Sequence, residues 1–169
     1  YGGALDYSQC FDSVTPSMAA HCMFHAGVPR DITDLLQWTW EHLCRYIRWD
    51  GHVGKSLLRN NCMPQGDPLA PVALNTFMAV ALILIDQKIH QWEAEHGTNS
   101  NTRLLLYMDD RSWTTALAIM NVLLVIWWAQ VSYLLCLLEN VSKIQIVAKG
   151  RARRTKLRRE IEEQAIPAE

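Results

Sequence analysis

RLLLYMDDRSWTT, residues 103–115, decides how this chain is read. Residues 103–108 and 111–115 are two short runs of apolar, aromatic and β-branched residues, the composition of strands. Between them stand Asp109 and Asp110. Aspartate tolerates the backbone of a two-residue turn, so the stretch predicts a hairpin with both acids at its tip. Neighbouring carboxylates in apolar surroundings repel each other, and burying them is costly unless a cation or partner meets them. A divalent cation would resolve that conflict. A third acid in an apolar setting, Asp6, follows Gly3-Ala4-Leu5. If the strand ending at Asp6 lies beside the hairpin, three carboxylates converge. Such a set suits two Mg²⁺ ions about 4 Å apart, the clamp of in-line phosphoryl displacement. Taken singly, each piece has a plainer reading: a solvated loop tip for the pair, a strand-end hydrogen-bonder for Asp6.

The rest of the chain supplies a scaffold. Residues 3–7 read as a short strand. Residues 16–26 read as a helix with Thr15 as N-cap and Pro16 in its first position. A second helix is expected over 32–46, capped by Asp31. Asp50-Gly51 between β-prone flanks predicts a hairpin over 46–59. In NNCMPQGDPLAP (60–71), Asp67 can cap and Pro68 can open a long helix running to about Glu95,. Residues 116–138 read as a buried helix, 143–148 as a strand, and the basic segment after it as a helix with Arg158–Glu162 and Arg159–Glu163 pairs. Helices outnumber strands, and the strand runs are separated by helices. The fold class is α+β, a small antiparallel sheet covered on one face by helices.

Charge is unevenly spread in these 169 residues. The formal net charge is −1, but seven basic residues (Lys149, Arg151, Arg153, Arg154, Lys156, Arg158, Arg159) fall within residues 149–159 without an acid. Residues 1–148 carry nine basic and thirteen acidic residues, a net of −4. An acidic body thus precedes a basic tail. The five cysteines form no CxxC pair, which fits a reducing compartment,. His21, Cys22 and His25 can share a helical face, but a zinc site would need a fourth ligand and none is evident. The chain opens on Tyr1 without a basic leader or cleavage site, so no signal peptide is expected and the location is intracellular, cytoplasm or nucleus. It reads as a segment of something longer. Two charge-free runs, 68–85 and 112–138, are long enough to raise a membrane reading,. Asn75, Thr76, Asn121, Gln130 and Ser132 are scattered through them, and helices buried inside a soluble protein are apolar all round too.

With these residues placed, the sequence resembles a reverse transcriptase of the non-LTR retrotransposon type. LDYSQCFDSV (5–14) resembles the family's first palm motif, MPQGDPLAPVALN (63–75) its Pro-Gln-Gly motif, LLYMDD (105–110) its Tyr-x-Asp-Asp motif, and ENVSKIQIVAKG (139–150) the motif that follows. The resemblance implies a polymerase palm over residues 1–150 with a basic helical tail over 151–169. It implies two Mg²⁺ ions (or Mn²⁺) on Asp6, Asp109 and Asp110, with Asp12 a bystander. Tyr7 would contribute through its backbone carbonyl. Phe11 matches the steric gate that rejects a 2′-hydroxyl, and Gln65 and Gly66 match positions near the incoming nucleotide. Tyr107 and Met108 would touch the primer end, and Lys143 matches a lysine proposed to serve the leaving pyrophosphate. RNA template, DNA primer and dNTPs are the implied partners, with no membrane.

The family's fingers precede the first palm motif and a thumb follows the last. Neither is expected in this stretch, so the fingers and thumb of a parent polyprotein are implied partners and the isolated chain is expected to be a poor polymerase. An RNA-directed RNA polymerase palm is the runner-up, disfavoured by Phe11. A two-span membrane protein is the non-enzyme alternative, and a decayed mobile-element fragment the third.

Overall fold

A computed structural model describes residues 1–8, 10–58, 62–64 and 66–164. In chain order the elements are β1 (Gly2–Leu5), β2 (Tyr7–Ser8), α1 (Cys10–Ser13), α2 (Pro16–His25), α3 (Arg30–Glu41), β3 (Cys44–Trp49), β4 (His52–Leu58), α4 (Ala70–His96), β5 (Arg103–Tyr107), β6 (Asp110–Thr114), α5 (Ala118–Leu134), β7 (Leu138–Glu139), a 3₁₀ turn (Val141–Lys143), β8 (Gln145–Val147) and α6 (Arg151–Gln164). The fold is α+β with small antiparallel sheets, as the strand and helix patterns imply. The chain divides into two compact units, Tyr1–Ser8 with Val80–Glu169, and Gln9–Ala79.

The first unit is built on a four-stranded sheet in the order β5-β6-β1-β8. Each pairing is antiparallel. Directly opposed residues project to the same face, so the register sorts the side chains. Gly3, Leu5, Leu104, Leu106, Arg111, Trp113 and Ile146 share one face; Ala4, Leu105, Tyr107, Asp110, Ser112 and Gln145 share the other. α5 covers the first face. Its buried residues Asn121, Leu124, Trp128, Val131 and Ser132 recur every three or four positions,. The Trp113 indole N–H donates to Asn121 Oδ1 at 2.7 Å. The indole ring also lies against Gly3, where a Cβ would stand 2.3 Å from Trp113 Cζ2. Glycine is needed there for close packing, not for an unusual φ.

In the second unit α2 forms as its caps predict: Thr15 Oγ1 accepts from Met18 N–H at 3.2 Å, and Pro16 opens the helix. α3 departs from expectation. It starts at Arg30 after Pro29, without a side-chain cap, and ends at Glu41. The aromatic and β-branched run Tyr46-Ile47-Arg48-Trp49 goes into β3 because Asp50 and Gly51, at φ 46° and 78°, close a tight hairpin there,. α4 starts two residues later than Pro68. Asp67 Oδ1 accepts from Leu69 N–H at 2.8 Å while its Oδ2 accepts from the buried Trp40 indole at 2.9 Å.

The apolar runs resolve differently from a pair of membrane spans. The run 112–138 is shared between β6 and the 17-residue α5, so the second of the two spans does not form. α4 is long and apolar enough to cross a membrane by length and composition. Its buried residues Ala70, Ala73, Leu74, Phe77, Met78, Ala81, Ile85 and Ile89 nonetheless form one stripe, with Val72, Val80 and Ile83 exposed. That one-sided burial is the pattern of a helix backing a core.

Candidate active site

The three aspartates of the sequence reading all fall in the first unit. β1 pairs Leu5 with Arg111, so continuing that ladder by one residue puts Asp6 opposite Asp110. On its other edge β1 pairs with β8 as far as Ala4 and Gln145, and Lys143, at the end of the 3₁₀ turn that precedes β8, reaches Asp6 through its side chain. Asp6 is therefore flanked by an acid on one side and a lysine on the other.

The hairpin tip is shifted by one residue from the expected position. Tyr107 pairs with Asp110, so the two turn residues are Met108 and Asp109, and Asp110 belongs to β6. Met108 sits at φ 54°. Only this first central residue has positive φ, which is the pattern of a type II′ turn, ordinarily a glycine position. Keeping Asp110 in the ladder preserves one more strand pair, and the cost falls on Met108.

Lys143 Nζ donates to Asp6 Oδ2 at 2.5 Å. Asp6 is buried, and the lysine is largely exposed. The hydrogen bond and charge of Asp6, reinforced by Asp109 and Asp110, raise the Lys143 pKa. Burial raises the Asp109 pKa, and the charges of Asp6 and Asp110 push it further while Lys143 opposes them. Asp109 thus feels the charges of both other acids. Among the described residues, no three His, Cys, Asp or Glu side chains are gathered closely enough to form a finished metal site. The donor set is hard carboxylate oxygen, which suits Mg²⁺ or Mn²⁺, and the raised pKa of Asp109 is the strain a divalent cation would relieve. In the present arrangement Lys143 supplies the positive charge.

Tyr7 takes a position that its expected role does not use. Its side chain is buried, its hydroxyl is hydrogen-bonded to Ser132 Oγ at 3.0 Å, and the Arg111 guanidinium lies 3.4 Å above its ring. The phenol is thus part of the packing. Tyr107 lies on the open face beside Asp110, exposed, with Met108 at the turn.

Phe11 and Gly66 belong to the second unit. Phe11 is half-buried in α1, and its carbonyl accepts from Met63 N–H at 3.0 Å, tying the first motif to the Pro-Gln-Gly segment. Gly66 is exposed at φ 95° with open space around it. The positive φ suits glycine there,. Gln65 lies outside the described residues. His21 and His25 pack ring edge to face at 4.5 Å.

Sequence reasoning missed the support under the site. Arg111, 1% exposed, makes two parallel hydrogen bonds to Glu139, at 2.8 and 2.7 Å. Glu139 also accepts from Ser132 and pairs with Tyr7 across β2 and β7. Asn140 N–H donates to the Asp6 carbonyl at 2.9 Å. The available signal was one arginine in a strand otherwise bound for the core. Its partner, 28 residues away, could not be named from the pattern.

The family model described as reverse transcriptase (RNA-dependent DNA polymerase) matches residues 1–116. No curated protein matches the chain. Among solved structures, apo telomerase from Candida tropicalis, truncated from its C-terminal domain, aligns at TM-score 0.63 and 13% identity, covering 89% of this chain and 31% of that one. Telomerase of the same species in complex with a fragment of telomeric RNA aligns at TM-score 0.65 and 12% identity, covering 90% and 26%. The chain spans less than a third of either telomerase, and at this identity the likeness is one of fold. The family match sets aside the RNA-directed RNA polymerase alternative.

Proposed function

The chain belongs to the reverse transcriptase (RNA-dependent DNA polymerase) family, and on that premise we propose that it is the palm of an RNA-directed DNA polymerase acting as part of a longer enzyme. The observation that carries the reading is the placement of the acids. Asp6 follows the strand that pairs with β6, Asp110 opens β6, Asp109 stands in the adjoining turn, and Lys143 donates to Asp6. The motif spacing favours a retrotransposon origin and hence an intracellular location.

Asp6, Asp109 and Asp110 would hold two divalent cations. Once bound, those ions would polarise the primer 3′-hydroxyl and neutralise the triphosphate. The residues of the chain do the rest. Exposed Tyr107 and the turn at Met108 present a surface for the primer end. Lys143, protonated and held beside Asp6 by its hydrogen bond, is placed to move onto the departing pyrophosphate and give it charge or a proton. Phe11, Gln65 and Gly66 are assigned to the nucleotide through the motifs they occupy, with Phe11 as the sugar discriminator. Template, primer and dNTPs are the proposed partners, together with fingers and thumb segments of the longer protein.

Mn²⁺ titration and primer extension test this together. The 169-residue chain should bind Mn²⁺ and lose that binding in Asp109→Asn, while extending a primer on an RNA template poorly. Mn²⁺ binding that is indifferent to Asp109→Asn would overturn the site. Processive extension by this chain alone would overturn its assignment as one part of a longer enzyme.

A further inference from the structure

The strongest charge feature of the molecule lies outside the carboxylate site. α6 carries Arg151, Arg153, Arg154, Lys156, Arg158 and Arg159, all exposed, with exposed Lys149 just ahead of it. Among the described residues, one of these seven forms an ion pair, Arg159 with Glu163 at 3.5 Å.

The order of charges along α6 works against the helix itself. Its first turn is basic, and its acids Glu160, Glu162 and Glu163 lie toward the C-terminal end. The backbone dipole favours the reverse, by a few tenths of a kcal/mol to about 1 kcal/mol per group. Helix stability therefore does not explain the arrangement. Attachment to the fold does not use the charges either: Leu157 is the buried residue of α6, and the helix packs on α5.

We propose that α6 is a docking strip for the phosphate backbone of an RNA·DNA hybrid, gripped without regard to sequence. Charge complementarity selects a polyanion. A lipid surface fits poorly, because an interfacial helix needs a free apolar face. On α6 the large apolar residues are Leu157, which is buried, and Ile161, which is exposed beside Val147 of β8 but too small a patch to insert into a lipid surface. The choice of a hybrid among nucleic acids rests on the polymerase reading, whose product it is. The positive strip also answers the net charge of −4 over residues 1–148, which would otherwise repel such a ligand.

The test is fluorescence anisotropy of the full chain with a labelled 20-base-pair RNA·DNA hybrid, repeated with anionic phosphatidylserine vesicles. Four phosphate contacts predict that affinity falls about 100-fold between 50 and 200 mM salt. Arg151→Gln/Arg153→Gln/Arg154→Gln/Lys156→Gln should flatten that dependence to less than about tenfold. The milder pair Arg153→Gln/Lys156→Gln should give an intermediate slope. Unchanged slopes in both variants, absence of hybrid binding by the wild type, or binding to vesicles in preference to hybrid would overturn the proposal. Mn²⁺ titration of the same wild-type chain keeps the two readings apart: absent Mn²⁺ binding with a normal salt slope removes only the polymerase reading, and a failed slope with normal Mn²⁺ binding removes only the strip.

Discussion

Replacing Arg111 by Met is the most informative perturbation of this fold. The guanidinium is 1% exposed, forms two hydrogen bonds to Glu139 and lies 3.4 Å from the Tyr7 ring. Methionine fills similar space but leaves the Glu139 carboxylate, 16% exposed, with the Ser132 hydroxyl as its hydrogen-bond donor. Breaking a buried pair from one side costs about 3–5 kcal/mol, a large part of the ~5–15 kcal/mol that holds a domain together. Removing both charges with Arg111→Met/Glu139→Leu should cost far less, because a buried pair replaced by apolar groups is often neutral. Urea unfolding followed by circular dichroism and tryptophan fluorescence measures the cycle. The double variant should be more stable than Arg111→Met by about 2 kcal/mol or more. If the two single costs add to within ~0.5 kcal/mol, the residues do not act as a pair and the reasoning fails. Tyr7 and Glu139 pair directly beyond Asp6, so Arg111→Met should also weaken Mn²⁺ binding.

Three further outcomes follow from the site and its sheet. Gly3→Ala places a methyl 2.3 Å from Trp113 Cζ2 and should destabilise the chain by about 1–3 kcal/mol; an unchanged melting temperature would contradict the packing. Asp109 has a raised pKa, so its contribution to stability is fully present below the ordinary carboxylate value of 3.8 and is lost as pH rises through the higher folded value,. Without divalent cations Asp109→Asn should therefore stabilise the chain at pH 7, by under about 1 kcal/mol given the partial exposure, with the gain vanishing in acid; a loss at pH 7 would show that Asp109 is not strained. Lys143→Met removes the cation now seated on Asp6 and should tighten Mn²⁺ binding severalfold, whereas Lys149→Met should change it little; weaker binding in Lys143→Met would mean the lysine helps to assemble the cation site.

The sequence by itself determined what short-range physics controls. Thr15 and Pro16 start α2 because a hydroxyl satisfies an orphan N–H and proline needs none. Asp50-Gly51 turns because both positions accept positive φ,. The alternation around Asp109 and Asp110 marked a hairpin, and four ordered motifs marked the family. Tertiary structure decided what depends on partners distant in sequence. It moved the turn onto Met108, because the Tyr107–Asp110 pair was worth keeping. It ended α3 early in favour of a hairpin whose two strands satisfy each other. It brought Lys143 onto Asp6 from 137 residues away and Glu139 under Arg111. Periodicity reports which face of an element is apolar, but Asp110 and Lys143 come to the two sides of Asp6 only through strand pairings that the whole sheet sets,. The carboxylates were therefore legible from the chain, and the charges that surround and support them were not.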